Sequence, residues 1–238
     1  MSEKTQRLGL DETIDVRSPF ELGRYRIHDF DDHGTELPAA LVFAESSNIG
    51  TARIALRSGP ENQRAFLERT GLLTPLTTEI PEIAAPLLPR RWGEVETATV
   101  SYGHGISVNP LSFAAAAAAL VNGGTKIRPT FLKSDAAQHG ERVVSLRTSR
   151  TMRHLLRLAV TNGTGSKADV PGYDVGGKTG TAEKPAGRGY SRNRRIASFV
   201  GVFPASDPEF LVFILFDEPK GTRASYGFAT GGFNPAPE

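Results

Sequence analysis

The hydrophobic residues of this chain follow two different patterns. Apolar side chains recur at helical spacing over much of the sequence, and this spacing predicts helices over residues 37–45, 48–56, 62–67, 112–121 and 149–160. Closer to the C-terminal end they run together or alternate, which predicts strands over residues 173–182, 195–203 and 209–216. Residues 10–27 alternate and predict extended structure, whereas four prolines between residues 72 and 93 predict a surface loop.

The last predicted strand is apolar without interruption from Phe210 to Phe216. Such a run is typical of a strand that is buried on both faces. A short loop over residues 204–208 joins it to the strand before, as in a hairpin. Because helices come first and antiparallel strands follow, we predict an α+β fold, with an antiparallel sheet flanked by helices and one domain over residues 1–238.

Composition narrows the possible functions. The chain has 28 basic and 26 acidic residues, no cysteine and no run of apolar residues long enough to predict a membrane span. Its first residues have no apolar core of a signal peptide. The five histidines lack the close spacing of metal ligands, so we expect neither metal nor cofactor. The histidines and aspartates of residues 28–33 are interpreted as a polar turn.

Four arginines lie within residues 188–195, between two predicted strands. The simplest interpretation is a solvated loop. The alternative is a surface that attracts an acidic peptide or a phospholipid-linked substrate. Nucleic acid is not expected, because no set of interleaved aromatic residues accompanies the arginines.

The candidate chemistry is concentrated in Lys178-Thr179-Gly180-Thr181, on a predicted strand. Strand alternation places Lys178 and Gly180 on one face and the two threonines on the other, unless the strand twists. An ammonium group, backbone donors and hydroxyls here suit one anionic ligand. Lys-Thr-Gly is also one of three motifs of penicillin-binding proteins and class A β-lactamases. On its own the triplet carries little weight, because it often occurs by chance.

A second motif of that set, Ser-x-Asn, is present as Ser46-Ser47-Asn48 between two predicted helices. Serine and asparagine are also the preferred residues at the N-cap of a helix, so a purely structural role is the alternative. The downstream Lys-Thr-Gly-Thr favours the functional interpretation.

Further segments extend the likeness over nearly the whole chain. They are residues 20–29, 45–50, 101–111, 114–124, 161–168, 177–182, 197–204 and 226–232. Together they resemble, in the same order, the transpeptidase domain of the class B penicillin-binding proteins of cell division, the FtsI-like group. The resemblance implies a serine β-lactamase-like fold and D,D-transpeptidation of peptidoglycan stem peptides by serine acyl transfer.

The resemblance also implies a role for each motif residue. In the family the Ser-x-Asn element faces the Lys-Thr-Gly strand. Ser46 would pass a proton to the leaving amine, Asn48 would hydrogen-bond the substrate amide, and Lys178 would hold the Ser46 hydroxyl. Thr179 and Thr181 would bind the terminal carboxylate, while Gly180 lets the ligand backbone run alongside the strand.

The third motif of the family, Ser-x-x-Lys, supplies the attacking serine and is absent: no serine here is followed by a lysine three places on. We therefore expect a partial transpeptidase domain without the nucleophile helix and the C-terminal helix, inactive alone and poorly soluble. Family resemblance implies stem peptides, β-lactams and divisome membrane proteins as partners. It also implies a location on the periplasmic face of the inner membrane, with the anchor outside this sequence.

Two alternatives stay open. The chain could be a remnant without a nucleophile that binds substrate or a division partner. It could also be a β-lactamase relative that hydrolyses its substrate, although residues 101–111 resemble the transpeptidases more closely.

Overall fold

The computed structural model describes residues 8–133, 140–186, 189–223, 225, 227 and 229–232. The chain divides into two compact units. Unit 1 comprises Met1–Pro75 and Ala84–Asn109, and unit 2 comprises Leu76–Ile83 and Pro110–Glu238. Among the described residues, no helix is both long and apolar enough to cross a bilayer.

The described part of unit 1 combines two short antiparallel strand pairs with four helices. Its strands are β1 (Thr13–Asp15), β2 (Phe20–Leu22), β3 (Tyr25–Ile27) and β4 (Glu36–Pro38). Its helices are α1 (Ala39–Ala44), α2 (Asn48–Ser58), α3 (Pro60–Thr70) and α4 (Glu94–Ser101). Strand β1 pairs antiparallel with β4, and β2 pairs antiparallel with β3.

Helix α2 is the central element of unit 1, since both of its sides are buried. Ile14 and Val42 belong to one core cluster, which Ile54 of α2 borders. Ile49 of α2 is fully buried in a second cluster with Ile27 and Ala98. The apolar residues whose spacing predicted this helix are therefore the residues that make its core contacts. Because Ile49 shares a buried cluster with Ile27, the start of α2 lies beside β3.

Unit 2 is built on a three-stranded antiparallel sheet. Its helices are α5 (Pro110–Val121) and α6 (Leu146–Thr161), and a 3-10 turn covers Ser166–Ala168. Its strands are β5 (Thr125–Lys126), β6 (Glu141–Arg142), β7 (Gly176–Ala186), β8 (Gly189–Phe203) and β9 (Phe210–Asp217). The sheet order is β7-β8-β9, and α6 packs on β7. Val160 of α6, Ala168 and Phe199 of β8 form a buried cluster.

The prediction that the last strand is buried on both faces is wrong. In β9 the side chains of Phe210, Val212 and Phe216 are 60%, 54% and 45% exposed. The strand lies at the edge of the described sheet, next to β8 alone. An apolar run indicates what a strand can bury, but it does not specify what covers each face.

Other differences concern the ends of elements. Helix α1 begins after Pro38, because Leu37 pairs with Ile14 in the β1–β4 ladder. Helix α6 begins earlier than predicted, because the Ser145 hydroxyl accepts a hydrogen bond from the Thr148 amide and caps it. Helix α4 was not predicted at all. Residues 189–195 of the arginine segment belong to strand β8 rather than to a loop, and residue 188 lies outside the described residues.

Candidate active site

Ser46 lies in a turn that normally requires glycine. Helix α1 ends with two bonds, from Ser46 N to Phe43 O (3.3 Å) and from Ser47 N to Val42 O (3.1 Å). This pair of bonds is the Schellman arrangement, in which the residue after the C-cap adopts left-handed φ and ψ. Ser46 accordingly has a φ of 64°. Left-handed backbone costs a residue with a Cβ roughly 1–2 kcal/mol, so the rest of the fold must hold this turn in place.

Ser47 closes α1 and opens α2 at the same time. Its hydroxyl accepts a hydrogen bond from Gly50 N at 2.9 Å, as an N-cap does, and its side chain is fully buried. The capping alternative from the sequence is thus correct for Ser47. Ser46 and Asn48, on either side, take no part in that cap, and Ser46 is exposed.

The side chains after Ser46 are tied to the end of β3. Asn48 Nδ2 donates to His28 O at 3.0 Å. Asp29 accepts from Ser47 Oγ at 2.7 Å and from Ile49 N at 3.0 Å. The interpretation of residues 28–33 as a plain polar turn missed these contacts, because nothing in the local sequence indicates a partner about 20 residues away.

Lys178 and Thr179 on β7 meet the hydroxyl of Thr164. Lys178 Nζ donates to Thr179 O at 3.2 Å and to Thr164 Oγ1 at 3.5 Å. The hydroxyls of Thr164 and Thr179 are 2.6 Å apart. Thr164, in the turn after α6, thus joins two side chains that strand alternation alone would separate. No motif in the sequence indicates this contact between Thr164 and β7.

Burial lowers the pKa of Lys178 to about 8. Its ammonium group is desolvated and has hydroxyl and carbonyl oxygens as its neighbours, so its charged form is less favourable than in water. A lysine with this pKa exchanges a proton readily near neutral pH and still attracts an anion when it is charged.

Thr181 accepts a hydrogen bond from a segment near the C-terminal end. Gly231 N donates to Thr181 Oγ1 at 2.9 Å. Gly231 also lies against Gly180, since a Cβ added to Gly231 would be 2.5 Å from Gly180 O. Because Thr181 accepts here, its own hydroxyl proton is left to donate to another group.

The packing of the sheet explains why a glycine occurs at position 180. It is opposite Ser198 in the β7–β8 register, and a Cβ at position 180 would be 2.6 Å from Ser198 Oγ. A side chain at position 180 would therefore force the Ser198 hydroxyl to turn away, so the sheet favours a small residue here. The predicted role of Gly180 in letting a ligand approach stays a prediction.

The predicted site residues thus fall into two groups. Ser46 and Asn48 lie at the α1–α2 junction of unit 1, and Lys178, Thr179, Gly180 and Thr181 lie on β7 of unit 2. Within the described part of the chain, no group of His, Cys, Asp and Glu side chains could hold a metal ion.

Comparison with known proteins identifies the family. The model of the penicillin binding protein transpeptidase domain matches residues 8–235. A Caulobacter vibrioides protein named probable peptidoglycan D,D-transpeptidase FtsI is 42% identical, over 98% of this chain and 43% of its own length. A Neisseria meningitidis protein named probable peptidoglycan D,D-transpeptidase PenA is 34% identical, over 94% and 38%. The chain therefore spans less than half the length of these relatives.

Solved structures agree with the sequence comparison. The transpeptidase domain of Burkholderia pseudomallei penicillin-binding protein 3 matches with a TM-score of 0.87 and 36% identity, over 97% of this chain and 70% of that one. Penicillin-binding protein 3 of Mycobacterium tuberculosis, complexed with aztreonam, matches with a TM-score of 0.79 and 32% identity, over 88% and 52%. The predicted fold class and the resemblance to the FtsI-like group are confirmed, and the chain belongs to the penicillin-binding protein transpeptidase domain family.

Proposed function

We propose that this chain carries the substrate-binding side of a peptidoglycan D,D-transpeptidase, which cross-links stem peptides during septal wall synthesis by serine acyl transfer. The observation that supports it most is the group formed by Lys178, Thr164 and Thr179 on and beside β7. One partly buried ammonium group and two linked hydroxyls suit the terminal carboxylate of a D-Ala-D-Ala peptide.

The hydrogen-bond directions favour this role. If Lys178 donates to Thr164, then Thr164 can donate to Thr179, and the Thr179 proton is free for a carboxylate oxygen. Thr181 has its proton free for the same reason, since it accepts from Gly231. Strand β7 is also at an edge of the described sheet, where an extended peptide can add as a further strand.

The remaining motif residues would act on the reacting bond. Ser46 is exposed and would pass a proton to the leaving amine, and Asn48 would hydrogen-bond the substrate amide. Lys178, with its lowered pKa, can take up or release a proton near neutral pH. The backbone N–H of Thr181 would stabilise the oxyanion.

The proposed substrate also suggests where the protein works. Peptidoglycan is cross-linked outside the cytoplasmic membrane, so we place the chain at the periplasmic face of that membrane, beside other division proteins. β-Lactams, which carry a carboxylate next to a strained amide, would compete for the same residues.

A peptide titration tests the binding role. Diacetyl-Lys-D-Ala-D-Ala is added to the ¹⁵N-labelled chain, and the backbone amide shifts of Thr179 and Thr181 are followed by NMR. We expect saturable shifts, and about tenfold weaker binding for Thr179→Val, because it loses one hydrogen bond to a charged group. The control peptide ends in an amide instead of a carboxylate. Equal binding of both peptides would refute the carboxylate site.

Covalent chemistry needs a separate test, since no serine of the sequence is followed by lysine at the family spacing. Loss of an attacking serine lowers the rate by about six orders of magnitude in a serine hydrolase. We therefore expect that a fluorescent penicillin does not label this chain. Covalent labelling would show that another residue acts as the nucleophile.

A further inference from the structure

The residues around Ser46 are held by one segment of unit 1, the loop 28–33 that follows β3. On the C-terminal side of Ser46, Asp29 accepts from the Ser47 hydroxyl (2.7 Å) and from the Ile49 amide (3.0 Å). Both oxygens of the carboxylate are therefore used, one for the capping side chain and one for the first turn of α2. A carboxylate is also favoured at a helix N-terminus by the helix dipole.

On the N-terminal side, His33 holds the residue before Ser46. His33 Nδ1 is 2.9 Å from Glu45 Oε2, and the His33 side chain is only 9% exposed. Glu45 is the C-cap of α1, so this contact fixes the last residue before the left-handed turn. The same short loop thus binds residue 45 through one end and residues 47 and 49 through the other.

We propose that Asp29 and His33 are positioning residues of the active site: they clamp both sides of the Ser46-Ser47-Asn48 turn and so fix Ser46 and Asn48 for the reaction. The proposal rests on the proposed function of that site. Neither residue touches substrate in this scheme. They act by holding Ser46 in its left-handed backbone conformation. This conformation is unfavourable for serine, and glycine is the residue that normally occupies such a position.

The pattern of exposure fits a clamp that leaves one group free. Ser47 and Ile49 are fully buried, and Asn48 is half-buried with its amide tied to His28 O. Ser46 alone in this turn is exposed, and none of the clamp's bonds uses its hydroxyl. The contacts therefore restrict the backbone of Ser46 without engaging its side chain.

The test uses Asp29→Asn, with Asp31→Asn as the matched control. Asp31 carries the same charge two residues along the same loop and is exposed. Hydrogen exchange of the Ile49 and Gly50 amides measures the clamp itself. Affinity for diacetyl-Lys-D-Ala-D-Ala measures its effect on function. We expect Asp29→Asn to speed exchange at both amides about tenfold and to weaken binding about fivefold, whereas Asp31→Asn leaves both unchanged.

A milder variant tests the other side, in case Asp29→Asn disturbs folding. Glu45→Met keeps the length of the side chain and removes the oxygen that contacts His33 Nδ1. It should weaken peptide binding by about threefold, and combination with His33→Gln should add little, because the two variants remove one shared interaction. Additive losses would show that the two residues act independently and would overturn this half of the clamp.

The outcomes separate the clamp from the proposed function. If the unmodified chain fails to bind the peptide, the proposed function fails, and the positioning role fails with it. If the unmodified chain binds and Asp29→Asn binds equally well, the clamp is refuted while the function stands. Faster exchange with unchanged affinity would reduce Asp29 to a purely structural residue and would also overturn the proposal.

Discussion

Lys178 combines a charge with an environment that disfavours it. The side chain is half-buried, and burial lowers its pKa to about 8. Below that pH the lysine is charged in both the folded and the unfolded chain, and the full cost of burying the charge falls on the folded state. A site that binds a carboxylate would regain this cost on binding, since the ligand's charge compensates the ammonium group.

We predict that Lys178→Met stabilises the free chain at pH 7, by about 2 kcal/mol, because it removes the buried charge. Between pH 8 and the ordinary lysine pKa of about 10.4, the unfolded chain binds a proton that the folded chain has released. The free energy of unfolding of the unmodified chain therefore rises with pH in this window, and the advantage of Lys178→Met shrinks. Urea unfolding at pH 7 and pH 10 measures both effects.

Lys184 provides the control for that measurement. Hydrogen bonds to Asp217 and Glu218 raise its pKa, which is the opposite direction. Lys184→Met removes a favourable surface interaction, so it should not stabilise the chain at pH 7. A constant difference between Lys178→Met and the unmodified chain at the two pH values would contradict the burial of charge at Lys178.

Sequence motifs point to the proposed site residues but not to their neighbours. The motifs give Ser46, Asn48 and Lys178 directly, because the chemistry itself fixes the residue types. Thr164 and Asp29 form hydrogen bonds of 2.6 Å and 2.7 Å beside them, yet each lies in a polar turn of ordinary composition. The left-handed backbone at Ser46 was also not predictable from the sequence, because glycine usually marks such a position and this chain has serine there.

At the scale of elements, the α1–α2 junction is set by close packing of two helices. Gly50 lies in the first turn of α2, and a Cβ added there would be 2.7 Å from both Cγ atoms of Val42 in α1. Val42 is almost fully buried, so it has little room to move. The glycine therefore allows α2 to start one residue after Ser47 has closed α1.

We predict that Gly50→Ala destabilises the chain by about 1–3 kcal/mol, because it overpacks the contact with Val42. Intrinsic helix propensity predicts the opposite sign, with alanine about 1 kcal/mol better than glycine. Thermal or urea unfolding decides between the two effects. In a Val42→Ala background the loss should be largely relieved, since the clashing methyl groups are gone. A stabilised single variant would show that the helices can shift apart.

The prediction of elements was correct where periodicity and caps coincide. Gly71 ends α3 in a left-handed conformation, and α2 and the three long strands overlap the ranges that the apolar pattern predicts. Helix α4 was missed because Thr97, Thr99 and Ser101 interrupt its apolar pattern. Their hydroxyls donate to backbone carbonyls within or just before the helix, a use that hydropathy does not reveal.

At the scale of the whole molecule, the family resemblance was predictable because it is distributed over nearly the whole chain. The match to the transpeptidase domain covers residues 8–235, so it depends on no single motif. The sequence did not predict which faces of the strands are covered by other parts of the molecule. The apolar side chains of β9 that face solvent illustrate this, because the sequence of a strand does not encode what lies next to it.

The exposed edge of β9 leads to a prediction about association. An edge strand with exposed apolar side chains offers unpaired backbone groups and an apolar surface to another chain. Phe210, Val212 and Phe216 provide such a surface here. We expect the 238-residue chain to self-associate, and we expect Val212→Lys to reduce association, because a charge on an edge strand opposes pairing with a second strand.

Sedimentation velocity over a range of concentrations measures this effect. Val212→Ile is the matched control, because it keeps an apolar β-branched residue at the same position and should associate as the unmodified chain does. Circular dichroism verifies that each variant is folded. Association that persists unchanged in Val212→Lys would locate the contact elsewhere on the molecule. A strictly monomeric unmodified chain would mean that this edge is too short or too strongly twisted to pair.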